Sequence, residues 1–534
     1  MADSLTDFID ALPQARTALT YRGTGMTVGE LAAASRRVAS GLRALGVGRG
    51  DRVALWLPNI PAWLECFFAC ARLGAIAVSV NTRFRSHEVE DIVGRAGCRA
   101  LVLWPGFKGI DFRGILADVR PEALSALGDI VVYGEEGDAA SFALPGKRVT
   151  PYSTLCAAAE DVADPADADA RCVIFTTSGT TKAPKFVCHA QAGVVQHARD
   201  VAHGFGFDAP GARVLQALPL CGVFGFTQAL GALAGGAPMH VLPLFDADEC
   251  ARVMHDEAIT HANGGDDMLD RLLAAREEPV PFPALRFFGY AKFNPALDDL
   301  VTRAEQRGVR ACGLYGMSEV HALYALQPAD LPAAERAKGG GVLVSPAAAV
   351  RICDPDTGAE LPPGEHGEIE LKGPSLLREY YGNPEATREA FHDGWFRTGD
   401  LGYLDGPRRF CYVTRIGDVL RLGGFLTSPQ EIEAVLEEHP AVDGAQVVGA
   451  NFEREPGAVA FIVPADGAAF DEEALRAWCR ARLAGYKVPR RFVAIDAFPT
   501  TASANGTKIQ RAKLRAMASE LAAARTGATP TPAG

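Results

Sequence analysis

The chain reads as an α/β protein built on largely parallel sheets, with a β-rich segment and then a compact α+β piece at its C-terminal end. Three observations carry that reading. Strand-like and helix-like stretches alternate through the first half. From Ala349 short strand candidates separated by turn signals take over, and after Arg415 helical and strand-like stretches return at closer spacing.

The elements follow in order. Met26–Leu45 places apolar residues at helical spacing, and the Gly-rich turn Gly46–Asp51 ends it. Arg52–Leu57 reads as a short buried strand, Ile60–Leu73 as a helix and Ala75–Val80 as a strand again. This rhythm suggests parallel units, and it recurs through Arg213–Leu242 and on to about Val344. Val350–Cys353, Gly367–Leu371, Gly402–Leu404 and Phe410–Val413 are short strands set between turns such as DPDTG and PPGEHG. Beyond Arg415, helices are expected at Pro429–Glu438 and Asp471–Leu483, with strands near Gln446–Val448 and Ala458–Val463. The Pro/Thr/Ala-rich end of the chain is expected to be disordered over 523–534. No internal repeat is evident.

Length and composition bound the function. A chain of 534 residues exceeds one ordinary core, so two or more domains are expected. Hydrophobic residues at 48% and charged residues at 22% describe a soluble globular protein. A formal net charge of −12 with no sustained basic run argues against nucleic acid as a partner. The longest apolar region, Cys66–Val80, is interrupted by Arg72 and is too short to span a bilayer. Met1–Leu12 carries Asp3, Asp7 and Asp10 rather than a basic start, so a cytoplasmic location is expected. The twelve cysteines form no CxxC pair and are expected to be reduced; Cys66 and Cys70 read as small core residues rather than a metal pair.

The chemistry begins at Thr176–His189, TTSGTTKAPKFVCH, directly after the apolar run Cys172–Phe175. A loop of hydroxyls, one glycine and two lysines can turn several donors onto one polyphosphate. It lacks the GxxxxGK[ST] spacing of a Walker loop. Four further blocks follow: Tyr315–Glu319 (YGMSE), Gly394–Gly402 (GWFRTGDLG), Arg415–Glu433 (RIGDVLRLGGFLTSPQEIE) and Asn505–Arg515 (NGTKIQRAKLR).

In this order and at these separations, the blocks closely resemble the adenylate-forming superfamily of acyl-CoA synthetases, carrier-protein adenylation domains and beetle luciferases. The resemblance runs from about Leu19 to about Met517. It implies an N-terminal adenylation domain over 1–414, binding ATP and acid, and a mobile C-terminal domain over 415–522, with the junction near Thr414–Asp418. It also implies ATP and CoA as co-substrates and Mg2+ as a cofactor.

Activating a carboxylate with ATP requires a triphosphate cradle, in-line placement of the acid and charge stabilisation at the α-phosphorus. By resemblance, Thr177, Ser178, Gly179, Thr180 and Thr181 form the cradle and Lys185 adds positive charge, while Thr181 and Glu319 serve the magnesium. Lys182 and Phe186 stand where the family usually has glycine. Tyr315 offers a face to adenine beside Gly316, with Gly289 on the same nucleotide side; Ser318 supplies a hydroxyl near the α-phosphate. Asp400 accepts from the ribose hydroxyls, and Arg415 contacts ribose and phosphate. Lys508 is the catalytic lysine of adenylation, with Thr507 where glycine is usual. Gly423 and Gly424 lie beside the pantetheine path, and Gly417 replaces the usual hinge residue.

The acid pocket is expected around Leu220–Phe226, Ala262–Met268, Phe287–Lys292 and Gly313–Gly316. Phe224, Phe226 and Phe287 suggest apolar walls, while Gly222, Gly264, Gly265 and Gly316 remove bulk. Acetyl-CoA synthetases carry tryptophan at the position of Gly316, so glycine there argues against acetate. His261 and His321 read as structural histidines.

The resulting expectation is an AMP-forming acid–thiol ligase for a medium- or long-chain, or bulky alicyclic or aromatic, carboxylic acid. An enzyme loading an acyl-carrier protein is the first alternative. A catalytically degenerate nucleotide-binding protein, motivated by Lys182, Phe186, Gly417 and Thr507, is the second. Homodimerisation is compatible with either.

Overall fold

The computed structural model describes residues 3–160, 167–177, 184–293, 297, 299–422, 425–452, 455–483, 485–503 and 506–523. The chain divides into two compact units. One comprises Met1–Lys292, Asp298–Ala349 and Leu371–Phe396; the other comprises Phe293–Leu297, Val350–Glu370 and Arg397–Gly534. The second unit thus takes in 350–370 and 397–414 together with the C-terminal segment.

In the first unit, one sheet runs in the order Glu379–Tyr380, Phe186–Ala190, Arg171–Thr176, Ile76–Ser79, Arg52–Trp56, Ala100–Leu103, Asp129–Val132, Arg148–Pro151. The strands from Arg171–Thr176 to Arg148–Pro151 pair in parallel. Ile76–Ser79, Ala100–Leu103 and Asp129–Val132 are buried at every position, as expected when helices cover both faces of a parallel sheet. A second sheet places Ala311–Tyr315, Phe287–Ala291, His261–Gly265, Val214–Gln216, Met239–Val241 and Thr17–Tyr21 side by side in parallel. The expected strand–helix alternation is therefore observed, with helix Val28–Ala44, strand Arg52–Trp56, helix Pro61–Arg72 and strand Ile76–Ser79 each within a few residues of its expected bounds.

Local sequence explains these elements. Thr27 accepts from the Glu30 amide and Glu30 accepts from the Thr27 amide, a capping box that starts Val28–Ala44. Val28, Leu31, Ala32, Ser35, Val38, Ala39 and Leu42 form its buried face. Pro61 opens the next helix at a position where a missing N–H costs nothing. That helix is buried from Ala62 to Arg72, and Arg72 is neutralised by Asp10 at 2.7 Å and bonded to Ser35. Cys66 and Cys70 are buried free thiols on it, small core residues as expected.

In the second unit, Val442–Phe452, Glu455–Pro464 and Arg491–Ala494 form a sheet, antiparallel then parallel. Helices Pro429–Glu437 and Glu472–Arg482 bury Ile432, Leu436, Leu475 and Cys479 in one core cluster of this unit. Helix Arg511–Ala523 buries Leu514, Ala518 and Ala522 in another. Strands 442–452 and 455–464 are longer than the apolar cores that mark them in the sequence, because their outer residues pair across the hairpin without needing burial. Two smaller hairpins, Leu420–Leu422 with Phe425–Thr427 and Thr500–Ser503 with Gly506–Ile509, also belong to the unit, as do strand residues 350–353, 367–370, 397–404 and 409–415. The chain end from 524 lies outside the described residues.

Candidate active site

The hydroxyl-rich segment joins two strands that pair antiparallel. Arg171–Thr176 pairs with Phe186–Ala190, and the Thr177 amide donates to the Lys185 carbonyl at 3.1 Å, closing the neck. Ser178, Gly179, Thr180, Thr181 and Lys182 lie outside the described residues. Both described ends are held. Arg95 donates to the Pro184 carbonyl at 2.5 Å, and its guanidinium lies 4.0 Å from the ring centroid of Phe186. Phe186 is buried in the core, so its departure from glycine is absorbed by packing.

Lys185 Nζ lies 4.4 Å from the ring centroid of Tyr380. The hydroxyl of that tyrosine donates to Glu319 Oε1 at 3.0 Å. Tyr380 therefore joins the lysine of the hairpin to the carboxylate of YGMSE, and nothing in sequence spacing marks it for that task. Its neighbour Leu377 donates its amide to the Glu319 carbonyl at 2.7 Å, so Glu319 is held at backbone and side chain. Glu319 is 6% exposed: an oriented, nearly buried carboxylate.

Tyr315 ends strand Ala311–Tyr315 and is itself largely buried, its hydroxyl 3.7 Å from the Met317 sulfur. Ser318–Val320 forms a single helical turn, after which His321, Ala322 and Leu323 take φ of 65°, 51° and 43°. Three successive non-glycine residues in the left-handed region are disfavoured sterically, and such geometry persists only where the surroundings impose it.

That run corrects the reading of Gly316. A Cβ there would stand 2.5 Å from the Ala322 Cα and 2.7 Å from the Leu323 nitrogen. The glycine admits the returning backbone and does not open a cavity, so it carries no argument about the size of the acid. Gly289 is likewise a close-approach position, because a Cβ would fall 2.1 Å from Asn263 Oδ1. Gly222 and Gly265 precede helices, and Gly264 faces Phe288 and Met268. Phe226 packs among Trp63, Phe67 and Phe175, while Phe287 lies beside Phe205 and His261. Beneath this region Asn263 donates to Gln228, and Gln228 donates to Gln216, each at 2.9 Å, forming a buried amide ladder.

His321 and His261 are both buried. Burial lowers the His261 imidazole to about 4 and holds His321 well below its ordinary range, with His189 and His197 adding to the latter effect. Among the described residues, no cluster of three or more His, Cys, Asp or Glu could hold a metal ion.

In the second unit, Asp400 stands opposite Arg415 across paired strands, with Arg415 Nε 2.9 Å from Asp400 Oδ1. The TGD triplet is fixed around them. Thr398 Oγ1 donates to the Ile369 carbonyl and accepts from the Asp400 amide, and Gly399 turns the chain at φ 69°. Asp400 is nearly buried while Arg415 is half exposed, which leaves a fixed carboxylate with a reachable cation beside it. The backbone of Lys508 lies on strand Gly506–Ile509, in register with Thr501. Gly423 and Gly424 lie outside the described residues. Gly417 sits in a short turn, and Arg515 bonds its carbonyl and forms an ion pair with Asp418.

The cation and oriented carboxylate of the first unit and the carboxylate–guanidinium pair of the second are each groups that nucleotide chemistry can use. The model of the AMP-binding enzyme family matches residues 7–381, and that of the AMP-binding enzyme C-terminal domain matches 431–505. The chain belongs to this family, as an AMP-forming acyl-CoA synthetase. It is 34% identical over 493 residues to a feruloyl-CoA synthase of Amycolatopsis sp, covering 91% of this chain and 93% of that one. It is 31% identical over 512 residues to an indoleacetate–CoA ligase of Aromatoleum aromaticum, covering 93% and 95%. Among solved structures, ATP-bound MatB from Rhodopseudomonas palustris superposes with a TM-score of 0.83 at 26% identity, covering 98% and 100%. No helix among the described residues is long and apolar enough to cross a membrane.

Proposed function

We propose that the enzyme activates a bulky, ring-bearing carboxylic acid with ATP and then transfers the acyl group to CoA, releasing AMP and pyrophosphate. The observation that carries the adenylation half is the Lys185–Tyr380–Glu319 linkage, which sets a cation and a buried carboxylate at the phosphate hairpin. A hard carboxylate oxygen suits Mg2+, whose charge would offset that of the triphosphate. In this reading Thr177, Ser178, Gly179, Thr180, Thr181 and Lys185 cradle phosphates, and Ser318 orients the α-phosphate. Tyr315, Gly316 and Gly289 shape the adenine side, while Asp400 and Arg415 hold the ribose. Lys508 stabilises charge as the carboxylate oxygen attacks the α-phosphorus and pyrophosphate leaves. Gly423 and Gly424 let the pantetheine arm pass close to the backbone when the thiol displaces AMP.

The acid class rests on the relatives, two of which are named for aromatic acids, feruloyl and indoleacetate. It also rests on the aromatic side chains Phe224 and Phe287 in the expected pocket segments. The test is thioester formation with Mg-ATP and CoA across a panel from acetate through long-chain to aryl acids, read by mass spectrometry with AMP release. An aryl- or arylalkyl-CoA product supports the reading. A long-chain product alone moves the substrate class, and acyl-adenylate without thioester moves the acceptor to a carrier protein.

A further inference from the structure

We propose that His189 and His197 are positioning residues for adenylation, locking the left-handed run 321–323 and through it the turn that carries Ser318 and Glu319. The inference rests on the roles assigned above to those two residues.

His189 and His197 come from consecutive elements, strand Phe186–Ala190 and helix Gln191–Gly204. His189 Nε2 lies 2.8 Å from the Ser318 carbonyl, and His197 Nε2 lies 2.8 Å from the Ala322 carbonyl. A carbonyl oxygen only accepts, so both imidazoles carry their proton on Nε2. Thr227 Oγ1 donates to the carbonyl between them, that of His321, at 2.6 Å. Thr227 and His197 thus bind carbonyls of the left-handed run itself, while His189 meets the carbonyl of the preceding turn, which also accepts the His321 amide at 3.4 Å. From inside the loop, Ala322 donates to Met317 and Tyr324 donates to Tyr315, each at 2.9 Å. The run is held from both sides.

The ring of His321 completes the lock. Its centroid lies 3.6 Å from that of His189 and 5.9 Å from that of His197, with Phe226 stacked at 6.0 Å and Phe175 edge-on at 6.4 Å. Imidazoles packed this closely must be neutral. Burial lowers His189 to about 3 and His197 to about 4, which keeps them so at working pH. The cluster is neither a metal centre nor a sensor of mild acid, which leaves geometry as its work. His189 lies four residues beyond Lys185, so the strand that leaves the phosphate hairpin also sets the height of Ser318.

Paired substitutions separate this role from packing. His189→Phe and His197→Phe keep a flat ring and lose the donor; His189→Gln and His197→Gln keep an N–H donor and lose the ring. The readouts are ATP–pyrophosphate exchange kinetics, thermal midpoints, and 15N imidazole shifts of the wild-type protein, which report the tautomer without turnover. The Phe variants should lose at least about tenfold in kcat with the KM for acid changed less than about twofold, and the Gln variants should recover most of it. Wild-type imidazole shifts should show the Nε2–H form. Wild-type rates in the Phe variants overturn the proposal, as do losses that track the thermal midpoint in both pairs, or Nδ1–H tautomers. Absence of exchange by the wild-type enzyme with every acid would sink the adenylation reading instead, and the imidazole shifts would still decide the lock.

Discussion

The Tyr380 hydroxyl donates to Glu319 Oε1 at 3.0 Å while Lys185 Nζ lies 4.4 Å from the centroid of the same ring. One side chain therefore contacts both the carboxylate and the cation of the proposed adenylating site. Tyr380→Phe keeps the ring and removes the donor from a carboxylate that is almost buried, a loss of about 1–3 kcal/mol. We expect kcat/KM for ATP to fall about tenfold, with the KM for acid little changed. Tyr380→Leu also removes the cation–π contact and should fall further. Pyrophosphate exchange measures both, and a Phe variant with wild-type kinetics would show that Glu319 is oriented without Tyr380.

Gly316→Ala tests the corrected reading of that glycine. The added Cβ would stand 2.5 Å from backbone at Ala322, which is itself held by His197 and Met317 and cannot retreat freely. Overpacking of this kind costs about 1–3 kcal/mol. We expect a lower thermal midpoint and reduced exchange with every acid alike. A change in acid preference at unchanged stability would return Gly316 to the substrate pocket.

The sequence makes the sheet alternation legible because parallel strands are buried on both faces and stand out as apolar runs, as at Ala75–Val80 and Arg52–Leu57. It makes Asp400 and Arg415 legible through their block pattern, and the structure sets them opposite one another. Tyr380 and Gly316 were not legible in the same way. Tyr380 acts across 61 residues of sequence, and no local pattern encodes a contact that the sheet creates. Gly316 was misread because a missing side chain is compatible with an open pocket or with backbone filling the space. Deciding that requires the position of Ala322, which follows from the left-handed run. His189 and His197 were silent for the reason that a buried imidazole on a carbonyl has the same sequence signature as any core histidine.

The buried histidines give the fold an acid limit. His189 is lowered to about 3, and His197 and His261 to about 4, by burial, with His321 lower than its usual range for the same cause. Each is neutral when folded and protonates near 6.5 when unfolded, so the unfolded state binds more protons below pH 6.5. Stability is therefore fully present above that pH and falls as the pH drops toward the folded values. Between pH 6.5 and 5.5 the loss is about 1 kcal/mol per histidine, or about 4 kcal/mol for four. Glu65 and Glu433, raised by burial, oppose this because they gain protons sooner in the folded state. Denaturant midpoints at the two pH values measure the balance, and 15N imidazole shifts at pH 5.5 isolate the histidines; charged imidazoles there in the folded protein would mean that they are not held neutral.

Lys508→Ala separates the half-reactions. Lys508 lies on a hairpin strand whose register places it opposite Thr501, and the following helix is tied down at its start. Arg511 reaches both oxygens of buried Glu433 at 2.8 and 2.9 Å, and Glu433 accepts the Val447 amide at 2.7 Å. The hairpin is thus anchored by neighbours that the substitution does not touch, and stability should be unchanged. A preorganised positive charge at a developing phosphoryl charge is worth about 3–4 kcal/mol, so adenylation should fall by about two to three orders of magnitude. Transfer from presynthesised acyl-adenylate to CoA should continue, because no α-phosphate is then being attacked. Lys513, exposed on the helix, provides the control, and its alanine variant should leave both steps intact. Equal losses in both half-reactions for Lys508→Ala would place that lysine in the architecture of the small domain rather than in the chemistry of adenylation.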